Sequence, residues 1–262
     1  MGSSPVIATL QLSRVPSTLV AFLTVFLPTY VHTQELPQSV LVAIPMITIS
    51  MCTYILNDLH DLDRDRINHP NRPLPSGRIT ARNAAIIYTA AFAISIAMIR
   101  IFTNSSLHFV YFILFLLAIN YNTIVEYLPR LKTVYVAATA TLPIILVTQI
   151  LRTSIDWALW AATFLFITGR EILMDVEDSK GDGNTIAKWL SPETGTWLGF
   201  GFPVLGAVVL IPAIHTALEL GAYLVIVVIF PVVALCWRSA ERRPLLLEIM
   251  KIQMLMGIVF LL

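Results

Sequence analysis

The chain has 262 residues, of which 57% are hydrophobic and only 13% charged, and its mean hydropathy is +0.79. This composition excludes an ordinary soluble domain, in which about a quarter of the residues are charged. The net charge of +1 gives no sign of a nucleic-acid partner, and no basic run is interleaved with aromatic residues, so none is expected.

Apolar stretches of about 20 residues, the length that crosses a bilayer as a helix, recur along the whole chain. The sequence therefore predicts an all-α, polytopic membrane bundle that forms a single domain over residues 1–262. Nine spans are predicted, near residues 13–31, 38–56, 83–102, 107–127, 133–151, 155–174, 194–214, 217–237 and 244–262. Thr80 is predicted to cap the third span, and Ser191 with Pro192 to begin the seventh.

Basic residues gather after the even-numbered spans. They are Arg64, Arg66, Arg72, Arg78, Arg82, Arg130, Lys132, Lys180, Lys188, Arg238, Arg242 and Arg243. Only Arg100 and Arg152 lie at the ends that face the other way. Because short cytoplasmic loops carry an excess of Lys and Arg, we expect these loops and the amino terminus on the cytoplasmic face.

Two acid-rich segments each close a long apolar run: NDLHDLDRD at 57–65 and EILMDVEDSKGD at 171–182. Together they contain nine of the sixteen Asp and Glu residues. Both follow even-numbered spans, so both are expected at the same membrane face. A polar loop from about 57 to 82, with prolines and a glycine, follows the first segment.

Helical spacing places most of these side chains in rows. Asn57, Asp61 and Asp65 recur every four residues on one flank of a helix, and Asp58 lies beside them. In the second segment the row consists of Glu171, Asp175, Asp178 and Asp182.

Ionised carboxylates in such rows repel each other, and near the membrane core each costs on the order of 2.5–3.5 kcal/mol. A bound divalent cation would remove the repulsion. Oxygen ligands favour Mg²⁺ or Mn²⁺, and Mg²⁺ is commonly shared between carboxylates and substrate phosphates, which indicates a diphosphate substrate. The alternative is that the acids are solvated charges on interfacial loops.

The first segment, with the following INHPNRPLPSGR at 67–78, resembles the first aspartate-rich motif and loop of the UbiA superfamily of intramembrane prenyltransferases. GREI at 169–172 with DVEDSKGD at 175–182 resembles the second motif. The most similar branch contains geranylgeranylglyceryl phosphate synthases and chlorophyll synthases. The resemblance implies a nine-helix bundle around a central cavity open to lipid, in which Mg²⁺ binds the diphosphate of a polyprenyl donor.

The resemblance also implies roles for individual residues. The metal ligands would be Asn57, Asp58, Asp61, Asp65, Asp175, Asp178 and Asp182, with Asp61, Asp65, Asp178 and Asp182 as the catalytic carboxylates. Arg72 and Lys132 fall where the family places cationic contacts to the diphosphate. Breaking the allylic bond leaves a highly charged leaving group, for which Arg170 and Lys180 are further positive candidates. Tyr54 and Tyr121 are the candidates to stabilise the allylic cation by cation–π attraction.

Two alternatives to a prenyltransferase remain open. Some UbiA superfamily members are terpene cyclases, which ionise the same donor without an acceptor. The family's Arg-Pro-x-Asn-like stretch is replaced here by Arg14-Val15-Pro16-Ser17, which favours cyclisation slightly and leaves the acceptor unknown. A cation or phosphate transporter would place acids in mid-span from both membrane faces, unlike the arrangement in this sequence.

Overall fold

The computed structural model describes residues 5–103, 105–178, 190–237, 243, 245–247 and 249–250. All the regular elements in these ranges are helices, which confirms the all-α prediction. The chain divides into two compact units, Met1–Tyr127 and Leu128–Leu262.

The described residues of the first unit form seven helices. They are α1 (Pro5–Leu12), α2 (Val15–Thr33), α3 (Leu36–Ala43), α4 (Pro45–His60), α5 (Leu62–Asn68), α6 (Ala81–Phe102) and α7 (Ser105–Tyr127). The helices described in the second unit are α8 (Lys132–Leu151), α9 (Trp157–Glu177), α10 (Pro192–Leu210) and α11 (Ala217–Cys236). Short 3-10 turns lie at Pro129–Leu131 and Ile211–Ala213.

The predicted membrane spans correspond to these helices. Seven helical stretches in the described ranges are long and apolar enough to cross a membrane, and α11 matches the eighth predicted span. The ninth, near 244–262, lies almost wholly outside the described residues. The chain is therefore a multi-pass membrane protein.

Local sequence signals explain where the helices begin and end. The Thr80 hydroxyl accepts a hydrogen bond from the Asn83 N–H, and the Ser191 hydroxyl from the Thr194 N–H, so both predicted caps are confirmed. The second predicted span, 38–56, lies within the helical stretch Leu36–His60, which is divided at Ile44 into α3 and α4 because Pro45 has no N–H to continue the ladder.

In the first unit, α4 is the central helix. It packs against α2, α6 and α7, and its carboxyl end contacts α1. Ala8 and Leu12 of α1 join Ile55 of α4 and Leu74 of the following loop in one buried cluster. This cluster holds the loop after the first acid-rich segment against the helix that carries the segment.

In the second unit, α9 and α10 pack closely because glycines face each other. A Cβ atom at Gly169 would lie 2.2 Å from Cδ of Pro203 and 2.5 Å from the backbone oxygen of Gly199. A Cβ atom at Gly199 would lie 2.6 Å from the Leu173 side chain. Small residues allow such close backbone approach between membrane helices, and here they fix the helix that carries the second acid-rich segment.

We predict that Gly169→Ala destabilises the protein by roughly 1–3 kcal/mol, because backbone and proline atoms must move to admit the methyl group. Thermal unfolding in detergent measures the effect. Gly201→Ala on α10 is the matched control, since a Cβ atom there meets nothing within 4 Å. Equal melting temperatures for the two variants would contradict the close contact.

Candidate functional site

The first acid-rich segment runs through the junction of α4 and α5. Asp61 separates the two helices, with φ −90° and ψ 9°. The ladder nevertheless continues through it, because the Asp61 N–H donates to the Asn57 carbonyl at 2.8 Å and the Asp65 N–H to the Asp61 carbonyl at 2.8 Å. The backbone therefore has the i to i+4 hydrogen bonding that the predicted row of Asn57, Asp61 and Asp65 requires.

Two carboxylates of this segment are buried and each contacts an arginine. The side chain of Asp58 is 3% exposed and accepts a hydrogen bond from Nη2 of Arg14. Nη1 of Arg72 donates to both carboxylate oxygens of Asp65, at 2.7 Å and 2.8 Å, and lies 3.8 Å from Asp58. A buried carboxylate needs such a partner because its desolvation is otherwise uncompensated.

The electrostatics of Asp65 are set by two opposing effects. Burial raises the pKa of the Asp65 carboxyl, and Arg72, which lowers the pKa through charge and hydrogen bonding, offsets this only in part. Arg72 therefore favours the ionised form of a side chain that burial would otherwise tend to protonate.

Asp61 and Asp63 have different surroundings. Asp61 is partly exposed, pairs with Arg64 and lies 3.1 Å from Nδ1 of His60. Nε2 of His60 is 3.7 Å from the carboxylate of Glu126 on α7. Asp63 is almost fully exposed, which makes it a matched control for the other acids of the segment.

The two predicted aromatic residues lie on neighbouring helices. The guanidinium of Arg14 lies over the ring of Tyr54, 5.0 Å from its centroid, in a cation–π contact. Tyr121 lies on α7, which packs against α4, and is partly buried. Arg14 was not among the predicted site residues, since 44 positions separate it from Asp58 and no local pattern indicates such a pair.

The second acid-rich segment continues α9 beyond the predicted end of the span, to Glu177. Asp175 is 1% exposed and accepts a hydrogen bond from Nζ of Lys132, the first residue of α8. Asp178 ends the helix and is partly exposed. Asp182 and Lys180 lie outside the described residues.

Other acids of the second segment have structural partners. Glu171 is 3.2 Å from Nη1 of Arg170, whose Nε donates to the Leu247 carbonyl at 3.3 Å. Glu177 is 3.2 Å from Nη1 of Arg243. These contacts join α9 to the segment after α11.

The donor chemistry of the first segment fits Mg²⁺. All its candidate ligands are oxygen atoms, and Oδ1 of Asn57 is buried with no hydrogen-bond partner among the described residues. Among all the described residues, no group of three or more His, Cys, Asp or Glu side chains lies close enough together to hold a metal ion. Metal binding would therefore require carboxylates such as Asp65 to exchange an arginine contact for the metal.

Comparison with known proteins places these features in a family. The sequence profile of the UbiA prenyltransferase family matches residues 15–245. A digeranylgeranylglyceryl phosphate synthase from Methanoculleus marisnigri is 31% identical over 67% of this chain and 64% of its own length. A digeranylgeranylglyceryl phosphate synthase from Methanothrix thermoacetophila is 33% identical over 69% of this chain and 66% of its own length. The chain thus matches slightly less than two thirds of each of these relatives.

Solved structures show the same fold. A UbiA homolog from Archaeoglobus fulgidus bound to GPP and Mg²⁺ superposes with a TM-score of 0.73 at 16% identity, covering 97% of this chain and 98% of that one. The apo UbiA homolog from Aeropyrum pernix K1 gives 0.68 at 19% identity, covering 94% and 95%.

We predict that Arg14→Ala destabilises the protein by roughly 3 kcal/mol, because it removes the cation that is hydrogen-bonded to the buried Asp58 carboxylate and leaves Arg72 3.8 Å away. Thermal unfolding in detergent measures the loss, and Arg14→Ala combined with Asp58→Ala should recover part of it.

Arg66→Ala is the control for this prediction. Arg66 pairs with Asp63 at the surface, where both side chains are mostly exposed, so its loss should cost less than about 1 kcal/mol. Equal losses of stability in the two arginine variants would show that the buried Arg14–Asp58 pair stabilises the protein no more than the exposed Arg66–Asp63 pair does.

Proposed function

The chain belongs to the UbiA prenyltransferase family, and we propose that it is a Mg²⁺-dependent membrane enzyme that transfers a prenyl group from a polyprenyl diphosphate to an acceptor. The observation that carries this proposal is the pairing of buried carboxylates with basic side chains in both acid-rich segments, Asp65 with Arg72 and Asp175 with Lys132. Such pairs supply both oxygen ligands for a metal and positive charge for a diphosphate.

The relatives support the choice of substrates. Two are named digeranylgeranylglyceryl phosphate synthases, and one structural neighbour was solved with GPP and Mg²⁺. We therefore take a prenyl diphosphate as donor and a prenylated glyceryl phosphate as the first acceptor to test. Both are amphiphiles that would reach a membrane-embedded site from the lipid.

The proposed chemistry is the heterolysis of the allylic carbon–oxygen bond. The electron pair leaves with the diphosphate, and the allylic carbon becomes a cation. The hydroxyl oxygen of the acceptor then attacks this carbon, and its proton passes to the released diphosphate. Mg²⁺, when bound by the acid-rich segments, would neutralise charge on the departing diphosphate. In our proposal its ligands are Asn57, Asp58, Asp61, Asp65, Asp175, Asp178 and Asp182.

Basic and aromatic side chains complete the proposed site. Arg72 and Lys132, with Arg170 and Lys180, would stabilise negative charge as it develops on the leaving group. Tyr54 and Tyr121 would face the allylic cation with their rings. In the described structure the Tyr54 ring is in contact with Arg14, which would have to shift for the ring to serve the substrate.

The product identifies the reaction. We expect the purified protein, given labelled prenyl diphosphates of several lengths and Mg²⁺, to label a lipid only when prenylated glyceryl phosphate or a membrane extract is added. Thin-layer chromatography with mass spectrometry measures the product. A hydrocarbon or cyclic alcohol formed without any acceptor would instead identify a terpene cyclase.

We also propose that both acid-rich segments face the cytoplasm, because Lys and Arg gather in the same loops. The same assay in sealed vesicles tests this orientation. Diphosphate added outside should be consumed by inverted vesicles and spared by right-side-out ones.

We predict that Asp61→Ala lowers kcat by at least about 100-fold, the size of effect seen when a group that stabilises transition-state charge is lost. Steady-state turnover of the prenyl diphosphate measures the effect. Asp63→Ala, two residues away and almost fully exposed, should retain nearly full activity. Substantial activity in a folded Asp61→Ala protein would remove this residue from the proposed metal site.

A further inference from the structure

Thr133, the second residue of α8, has a buried hydroxyl that the fold leaves unused. The residue is 1% exposed, and its Oγ1 has no hydrogen-bond partner among the described residues. Burying a hydroxyl without a partner is unfavourable, so such an atom calls for an explanation.

Other threonines on α8 show what is unusual about Thr133. The Thr141 hydroxyl lies 3.1 Å from the Ala137 carbonyl and 2.9 Å from the Ala138 carbonyl, and the Thr148 hydroxyl donates to the Ile145 carbonyl at 2.8 Å. Each therefore bonds the turn before it, which is the usual solution for threonine in a membrane helix. Thr133 lies in the first turn of α8, directly after the 3-10 turn, and makes no such bond within the described chain.

The surroundings of Thr133 suit an anion. It directly follows Lys132, whose Nζ contacts the buried Asp175. No described side chain caps α8, whose N-cap position is Leu131. The amino-terminal end of a 20-residue helix also carries partial positive charge, which favours an anion nearby.

We propose that Thr133 is a further substrate-binding residue, whose hydroxyl donates a hydrogen bond to a phosphate oxygen of the diphosphate that Lys132 contacts. This inference rests on the proposed function, because it assumes that a diphosphate binds at Lys132. In this proposal the hydroxyl, which has no partner in the described part of the chain, gains one when the diphosphate binds. The Thr133 hydroxyl thereby adds a neutral hydrogen-bond donor to the charged donor that the Lys132 ammonium supplies.

Thr133→Val tests the inference because it removes the hydroxyl and keeps the shape. We expect the ligand-free variant to melt at the same temperature as the parent or higher, since an unpaired buried hydroxyl is gone. We expect its affinity for inorganic pyrophosphate in the presence of Mg²⁺ to fall about tenfold, which corresponds to about 1.4 kcal/mol. Calorimetric titration and the pyrophosphate-induced rise in melting temperature measure the two quantities.

Two further variants separate binding from structure. Thr141→Val removes a hydroxyl that already bonds its own helix, so it should lower the melting temperature slightly and leave pyrophosphate affinity unchanged. Thr133→Ser keeps the hydroxyl and should restore pyrophosphate affinity to nearly the parent value.

The outcomes distinguish this inference from the function on which it rests. If the parent protein turns over prenyl diphosphate while Thr133→Val binds pyrophosphate as tightly as the parent, the inference is overturned and the hydroxyl bonds water. A raised KM for the acceptor alone, with pyrophosphate affinity unchanged, overturns it as well. If the parent protein binds no pyrophosphate and turns over no prenyl diphosphate, the proposed function and this inference fail together.

Discussion

A carboxylate that the fold withdraws from water must be matched by a positive charge, and this constraint organises the chain. Asp58 and Asp175 are each almost inaccessible, and each contacts a cation from a different helix or its flank: Arg14 before α2 and Lys132 at the start of α8. Removing one partner from such a pair leaves a buried charge that costs several kcal/mol. The ion pairs therefore fix which helix ends meet within each unit, as well as neutralising the acids.

The same pairing explains how a site rich in acids can be stable before substrate arrives. Burial raises the pKa of the Asp65 carboxyl, and Arg72 opposes this effect in part, so Arg72 favours the ionised form that a metal requires. In the proposed reaction these carboxylates would hold a divalent cation, and the basic side chains would contact the diphosphate instead. Exchange of partners among charges already in place needs less rearrangement than assembling them from solvent.

Neutral groups complete this picture in both units. The Asn57 amide oxygen and the Thr133 hydroxyl are buried without partners in the described part of the chain. Asn57 directly precedes Asp58 in the sequence, and Asp58 pairs with Arg14. Thr133 directly follows Lys132, which pairs with Asp175. Close packing at Gly169 positions the second segment, since α9 can approach α10 only where side chains are absent.

The sequence by itself determined the all-helical membrane fold, the approximate spans, and the caps at Thr80 and Ser191, because hydrophobic length and capping chemistry are local properties. It did not reveal that Arg14 would contact Asp58, that the second span would be divided at Ile44, or that Thr133 would be buried without a partner in the described part of the chain. Pairing and burial depend on which helix faces pack together, and no local sequence pattern indicates a contact between residues 44 positions apart. Only the tertiary structure decided these contacts and the burial of these side chains.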